Sequence, residues 1–234
     1  MKLPKLTPRL KLIASLVPHG ATVADIGTDH AYIPVFLINS GVCHCAIAAD
    51  ILDGPLKSAV DTIQLYNSAD KVKVVKSDGF LSLPAGEFDT AIIAGMGGTL
   101  ISKILEDGKI VAKSVKHLIL QPMTAVYELR KYLYENGFEI TEEHLIKEGD
   151  KLYNVIVAAP SVDNKPVEKI DEVIHFHVGK HLAKHRPQLF AEYIERLMAK
   201  FETKLAGLHL GTAEELDSAI SMAEQILEKL EELL

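Results

Sequence analysis

The sequence predicts an α/β protein: a seven-stranded, doubly wound, mostly parallel sheet with an antiparallel edge, followed by an α-helical hairpin. From about residue 20 to 160, short β-rich apolar runs alternate with helix-like stretches, the pattern of successive βα units. After Ala159 strand-like runs cease, and apolar residues recur at steps of three and four. Strands are predicted at Thr22 to Ile26, Cys45 to Asp50, Lys71 to Lys76, Phe88 to Ala94, His117 to Gln121, Phe138 to Lys147 and Lys151 to Ala159. Glu148-Gly149-Asp150 joins the last two tightly, which makes them an antiparallel hairpin. Gly54 to Ser68 and Ala125 to Asn136 carry apolar residues at helical spacing, and Asn136-Gly137 is a helix stop. Pro160 to Pro166 reads as a polar linker. Beyond it, Phe190, Ile194, Leu197, Phe201, Leu205 and Leu208 form one helical stripe, and Leu216, Ile220, Ala223, Leu227, Leu230 and Leu234 a heptad seam. Gly207 to Gly211 is short enough to reverse the chain, and Thr212 with Glu215 resembles a capping box, so the two stripes predict an antiparallel, coiled-coil-like pair.

Composition excludes several classes. With 25 Lys and Arg against 32 Asp and Glu, the 234 residues carry a formal net charge of −7, which speaks against a generally basic nucleic-acid binder. No apolar run approaches the roughly 18 residues that span a bilayer. The start, Met-Lys-Leu-Pro-Lys-Leu-Thr-Pro, lacks the apolar stretch of a secretion signal, so the chain reads as cytoplasmic with no membrane partner. Cys43 and Cys45 are one residue apart, too close for an easy disulfide, and no other cysteine exists to build a zinc cage.

The first strand runs into Asp25-Ile26-Gly27-Thr28-Asp29-His30-Ala31, where the chain turns into a helix. A dinucleotide fingerprint needs three glycines to wrap a pyrophosphate; here only Gly27 is present, and Asp29 stands at the second position. A pyrophosphate would meet the Asp29 carboxylate, so the loop suits a phosphate-free ligand of positive or neutral character. S-adenosylmethionine, with an amino group, a sulfonium and no phosphate, has that chemistry. Asp50 ends the second strand, 23 residues beyond Gly27, where an acid can accept both hydroxyls of a ribose. Asp78, before Gly79, can accept from an adenine amino group. Each acid alone suits a solvated loop equally well; at three successive strand ends of an open sheet they converge on one crevice. Ala94-Gly95-Met96-Gly97-Gly98, with three glycines in four positions, predicts close approach of a flat ligand to the backbone. Gln121, at the end of the fifth strand, adds an amide able to read a base edge.

The sequence resembles the bacterial tRNA (adenine(22)-N1)-methyltransferases over nearly its whole length. The residues that carry the resemblance are Leu6-Thr-Pro-Arg9-Leu10, Asp25-Ile-Gly-Thr-Asp-His-Ala-Tyr-Ile-Pro34, Ser77-Asp-Gly79, Ile93-Ala-Gly-Met-Gly-Gly98, Leu120-Gln-Pro122 and Gly179-Lys180 through Phe190-Ala-Glu-Tyr193. It implies a class I methyltransferase, Rossmann-like domain over residues 1–160 and a helical coiled-coil domain over 161–234. The implied reaction is methylation of N1 of an adenine in the D-loop region of tRNA, with S-adenosylmethionine as cofactor. On this reading Asp25, Gly27, Asp29, His30, Asp50 and Ile51 bind the cofactor together with Asp78, Gly79, Ala94, Gly95 and Met96. Arg9, Tyr32, Gly97 and Gln121 face the substrate. Asp29 either stabilises the charge on the methylated base, takes its proton, or binds the cofactor's amino group. Tyr32 either stacks on the target base or packs inward. Asp29, Tyr32 and Gln121 are thus the candidate catalytic residues.

Charge is unevenly distributed. From His175 to Leu208 six basic residues, among them Lys180, Lys184 and Arg186, face three acids, whereas residues 209–234 hold one base and seven acids. With Lys2, Lys5, Arg9 and Lys11 at the other end, these bases can neutralise tRNA phosphates. His177, His181 and His185 recur at steps of four, which would put them on one face of a continuous helix; with no obvious acidic ligand, a metal is not expected. Two other functions compete: a nicotinamide-dependent oxidoreductase, opposed by the absent glycines, and a noncatalytic module that dimerises through the hairpin. The chain is expected as monomer or dimer.

Overall fold

The computed structural model describes residues 2–161, 173–209 and 216–234. The chain folds as two compact units, Met1–Lys169 and Ile170–Leu234.

The first unit opens with α1 (Pro8–Ser15), a helix outside the elements expected from the sequence. The signal was available: Thr7 is an N-cap whose hydroxyl accepts from the Leu10 N–H, and Pro8 occupies the first helical position. Then follow β1 (Thr22–Ile26), α2 (Tyr32–Asn39), β2 (Cys45–Asp50), α3 (Asp53–Leu65), β3 (Val72–Lys76), β4 (Thr90–Gly97), α4 (Gly98–Asp107), α5 (Lys109–Ala112), β5 (His117–Thr124), α6 (Val126–Glu135), β6 (Phe138–Glu148) and β7 (Lys151–Pro160).

The seven strands form one sheet in the order β3-β2-β1-β4-β5-β7-β6. The first five pair in parallel, and β7 joins antiparallel to β5 and to β6. Central strands read as uninterrupted apolar runs because both faces are covered: Ile92, Ile93, Leu118, Ile119 and Leu120 have no exposed surface. On one face Ile92, Ile119 and Val155 join a core with Ile13 of α1 and Val35 and Leu37 of α2. The hairpin turns at Gly149-Asp150 between the paired Glu148 and Lys151, with Gly149 at φ 60°. Strand order reverses between β1 and β4, so the crevice where an open sheet binds ligands lies at their carboxyl ends.

The second unit contains α7 (Ile174–Val178), α8 (Lys180–His185), α9 (Phe190–His209) and α10 (Leu216–Glu231). In α9 the buried Phe190, Ile194 and Phe201 are those of the expected stripe, joined by Tyr193. In α10 the buried residues are Ala223 and Leu230 of the expected seam, joined by Ile226, while Leu216 and Ile220 are half-buried. Leu227 is only half-buried, and Leu234, beyond the helix end, is exposed. α9 and α10 pack against each other. Most of the expected linker and the expected capping box lie outside the described residues.

The histidine face does not form. Gly179, at φ 91°, ends α7 and begins α8, so His177 belongs to a different helix from His181 and His185. His177 meets the edge of Phe201 at 5.0 Å between centroids, while His181 and His185 stack at 6.1 Å. Among the described residues no group of acidic, histidine and cysteine side chains is arranged to hold a metal ion, and no helix is long and apolar enough to cross a membrane.

Candidate active site

The loop between β1 and α2 has an unusual backbone. Gly27, Asp29 and Ala31 adopt left-handed conformations, with φ of 72°, 49° and 54°. Gly27 and Asp29 stand where a dinucleotide fingerprint has its first two glycines, and the left-handed backbone is kept at Asp29 and Ala31 although both bear side chains, at about 1–2 kcal/mol each. Strain of this kind is held by its surroundings. The Gly27 and Thr28 N–H groups both donate to the Ala49 carbonyl of β2, at 2.8 and 3.0 Å, and the Ala31 N–H donates to the Thr28 carbonyl at 3.0 Å. No side chain among the described residues caps α2, which leaves its first N–H groups facing the loop without a side-chain acceptor.

A cavity of about 430 Å³ opens here, lined by Lys5, Thr7, Arg9 and Leu10 of the amino-terminal segment, by Asp25, Gly27, Thr28, Asp29, His30, Tyr32 and Ile33, and by Ala94 and Gly95. Asp25 is its buried acid. Burial raises its carboxyl to about 7 against the opposing hydrogen bond from the Thr28 hydroxyl (2.7 Å), and the Asp50 charge raises it further. Asp29 is exposed at the mouth, 3.5 Å from His30 Nε2, and His30 stacks on Tyr32 with centroids 5.2 Å apart. Tyr32 is 39% exposed, so of its two readings the inward-packed one does not hold. Asp50, nearly buried, accepts the Leu52 N–H on Oδ1 at 2.9 Å, which leaves Oδ2 for a ligand; Ile51 beside it is half exposed.

Other expected residues do different work. Gln121 belongs to β5 and is fully buried. Its Oε1 accepts from Arg9 Nη1 (2.5 Å) and from the Gly95 N–H (3.1 Å), and its Nε2 donates to the Pro122 carbonyl (2.9 Å). An amide so occupied cannot also read a base edge. Of the glycine cluster, Gly95 alone has left-handed backbone (φ 79°) and lines the cavity. A Cβ on Gly98 would stand 2.0 Å from the Ala125 carbonyl oxygen, and one on Gly97 3.2 Å from Thr124 Oγ1, so these two glycines serve packing. Gly27 likewise makes room for the Met96 methyl, and Gly79 (φ 55°) for Ile104. Asp78 is exposed at the end of β3, in a loop braced by Ser77, whose hydroxyl donates to the Gly79 carbonyl and accepts the Ser82 N–H. Of the amino-terminal bases, Lys5 and Arg9 reach the cavity, while Lys2 lies over the Tyr66 ring. Sequence reasoning missed Thr28; its place three residues after Asp25 in a tight turn was the available signal.

A second concavity, about 380 Å³, lies at the opposite edge of the sheet, around Thr22, Cys45, Asp70, Lys71 and Glu87. The amino-terminal edge of a parallel sheet is not where such folds bind ligands, and we place the chemistry at the carboxyl edge. Cys45 is exposed there, and Cys43 is buried, its thiol pushed up to about 12 by burial and by Asp89.

An open sheet with this strand order, and at its point of reversal a loop with an acid in place of the second fingerprint glycine, defines a methyltransferase-domain protein; residues 6–156 match the family model described as a methyltransferase domain. The chain is 36% identical over 186 residues to the tRNA (adenine(22)-N(1))-methyltransferase of Bacillus subtilis (strain 168), covering 80% of this chain and 78% of the relative. The crystal structure of the B. subtilis m1A22 tRNA methyltransferase TrmK superposes with a TM-score of 0.86 at 30% identity, covering 98% of each chain. A Streptococcus pneumoniae protein solved in complex with S-adenosyl-L-methionine gives 0.81 at 30% identity, over 95% of this chain and 100% of that one. The chain belongs to the tRNA (adenine(22)-N(1))-methyltransferase family.

Proposed function

We infer that this protein methylates N1 of adenine 22 in tRNA at the expense of S-adenosylmethionine. The observation that carries the reading is a likeness over 80% of this chain to a relative of that activity, joined to a loop that is left-handed at Gly27, Asp29 and Ala31 and has an acid in place of the second fingerprint glycine. A nicotinamide cofactor would set its pyrophosphate against Asp29.

The residues present fit S-adenosylmethionine. Asp25 and Asp29 favour a cationic ligand, the second oxygen of Asp50 is open to ribose hydroxyls, and the half-exposed Ile51 and the cavity-lining Ala94 offer apolar surface to an adenine, with Met96 packed behind Gly27. His30, Gly27 and Gly95 complete this subsite, with Asp78 and Gly79 at the adenine end. When bound, the cofactor supplies an electrophilic methyl group on a positively charged sulfur.

This chain's residues orient the partner. N1 lies on the Watson–Crick edge, so the adenine must leave its pairing to enter the cavity. The stacked His30 and Tyr32 rings form a flat platform at the mouth for the extruded base. Asp29, between platform and cavity, stabilises the positive charge of the N1-methylated ring or accepts a proton from its amino group. We assign the cofactor chemistry to residues 1–160 and the binding of tRNA phosphates to residues 161–234 through the exposed Lys180, Lys184 and Arg186. A tRNA substrate puts this work in the cytoplasm. Transfer of labelled methyl to an unmodified tRNA transcript, compared with one carrying guanine at position 22, tests the reading: the first is expected to be labelled and the second not.

A further inference from the structure

The strands β1, β4 and β5 are neighbours in the sheet, so their carboxyl ends stand side by side. Beyond β1 come the stacked His30 and Tyr32 rings. Near the end of β5 stands Met123, an apolar side chain that is nevertheless 40% exposed. Between them the pairing of β4 with β5 is irregular. Ala94 faces Gln121, Met96 faces Pro122 and Gly97 faces Thr124, which leaves Gly95 on one strand and Met123 on the other without a partner. An unpaired residue of this kind is how a strand re-aims a side chain beside a site. Gly95 lines the cavity as bare backbone, and among the described residues a Cβ there would meet only Arg9 Nη1, at 3.8 Å. Met123 is aimed back toward the same place: its Sδ lies 3.6 Å from Gln121 Nε2, and Gln121 Oε1 accepts the Gly95 N–H.

Neighbouring strands lie about 4.8 Å apart, so the ends of β1 and β5, on either side of β4, are separated by about 10 Å. A planar ring needs about 3.5–4 Å to the atoms on each of its faces, or about 7–8 Å in all. Side chains leaning in from those two strand ends therefore clasp a single ring. We propose that Met123 is the second wall of the slot for the target adenine, which lies with one face on the His30–Tyr32 platform and the other against the Met123 thioether, above the Gly95 backbone. This rests on the reading of the chain as a tRNA adenine methyltransferase. A thioether is polarisable and packs well on aromatic rings, so it suits a base that gains positive charge as N1 takes the methyl group. Contact on both faces fixes the plane of the ring and with it the line of attack of N1, where orientation governs rate. Affinity for tRNA as a whole comes chiefly from phosphate contacts, so loss of one wall falls on methyl transfer within the bound complex rather than on tRNA binding.

The test is a double-mutant cycle read by single-turnover methyl transfer from labelled S-adenosylmethionine to unmodified tRNA, with the Kd of tRNA and of cofactor and the thermal unfolding of each variant measured alongside. Met123→Ala is expected to lower the transfer rate about three- to tenfold, with both Kd values within about twofold of wild type. Met123→Leu should keep most of the rate. Met123→Gln, of similar length but polar, should lose as much as Met123→Ala, and it carries the test if Met123→Ala does not fold. If both walls hold one ring, Tyr32→Ala combined with Met123→Ala should cost less than the product of the two separate losses; losses that simply multiply overturn the shared slot. A weaker Kd for tRNA with the transfer rate intact overturns it in favour of a surface contact, and a weaker Kd for cofactor overturns it in favour of a cofactor contact. A wild type that transfers no methyl group to tRNA contradicts the methyltransferase reading itself, whereas an active wild type matched in rate by Met123→Ala and Met123→Gln contradicts only the role of Met123.

Discussion

Burial of Asp25 at the carboxyl end of β1 pushes its carboxyl up to about 7, so near neutrality it holds a proton that an exposed aspartate would have lost. The folded value lies above the unfolded one. The native state therefore binds this proton more tightly, and its stabilising contribution is complete below about pH 4 and is lost as pH rises through about 7. The loss is on the order of 4 kcal/mol. Asp25→Asn, which mimics the neutral acid, should remove this effect; the difference in unfolding free energy between variant and wild type, measured from pH 4 to 8, is expected to grow with pH and level off above 7. A cationic ligand favours the carboxylate, so cofactor binding should release a proton near pH 7, visible by calorimetry in buffers of differing ionisation enthalpy. Asp50→Ala should weaken cofactor binding about tenfold or more by removing a carboxylate acceptor; unchanged affinity removes Asp50 from the ribose subsite. The acids at the strand ends were legible in the sequence because a short acidic side chain ending an apolar run has few places to go. Gln121 was not. Its partner Arg9 is 112 residues away, and Pro122-Met123 reads as loop, whereas irregular β4–β5 pairing carries both strands past it.

At the scale of elements, α6 is tied to the antiparallel edge by a buried ion pair. Arg130 and Glu143 have 0% and 1% of their side chains exposed, Arg130 Nε donates to Glu143 Oε1 at 2.7 Å, and Nη2 donates to Asn154 Oδ1 at 3.0 Å. Removing one partner leaves a buried charge uncompensated, so Glu143→Ala should cost about 3–5 kcal/mol in denaturant unfolding, while joint replacement of Arg130 by Met and Glu143 by Leu should cost much less. Gly98→Ala should destabilise by about 1–3 kcal/mol because the new methyl meets the Ala125 carbonyl. Strand positions were legible because parallel strands buried on both faces write themselves as apolar runs. The expected histidine face failed for a physical reason, since one left-handed glycine resets a helix, and in α10 Ile226 is buried beside the seam residues Ala223 and Leu230 because a four-three repeat does not say which neighbouring apolar residue turns inward.

Across the whole molecule, a net charge of −7 coexists with a tRNA substrate because the bases are segregated: six fall between His175 and Leu208, while residues 209–234 hold seven acids and one base. Charge reversal at Lys180, Lys184 and Arg186 should raise the KM for tRNA and flatten its salt dependence by about one unit of log–log slope for each phosphate no longer neutralised, with the cofactor Kd unmoved. The central claim is the atom methylated. Incubation with unmodified tRNA and S-adenosylmethionine, followed by digestion and mass spectrometric mapping of the modified nucleoside, tests it most directly. The expected product is 1-methyladenosine at position 22; an unmodified tRNA, or a methyl group on any other atom or position, would contradict it.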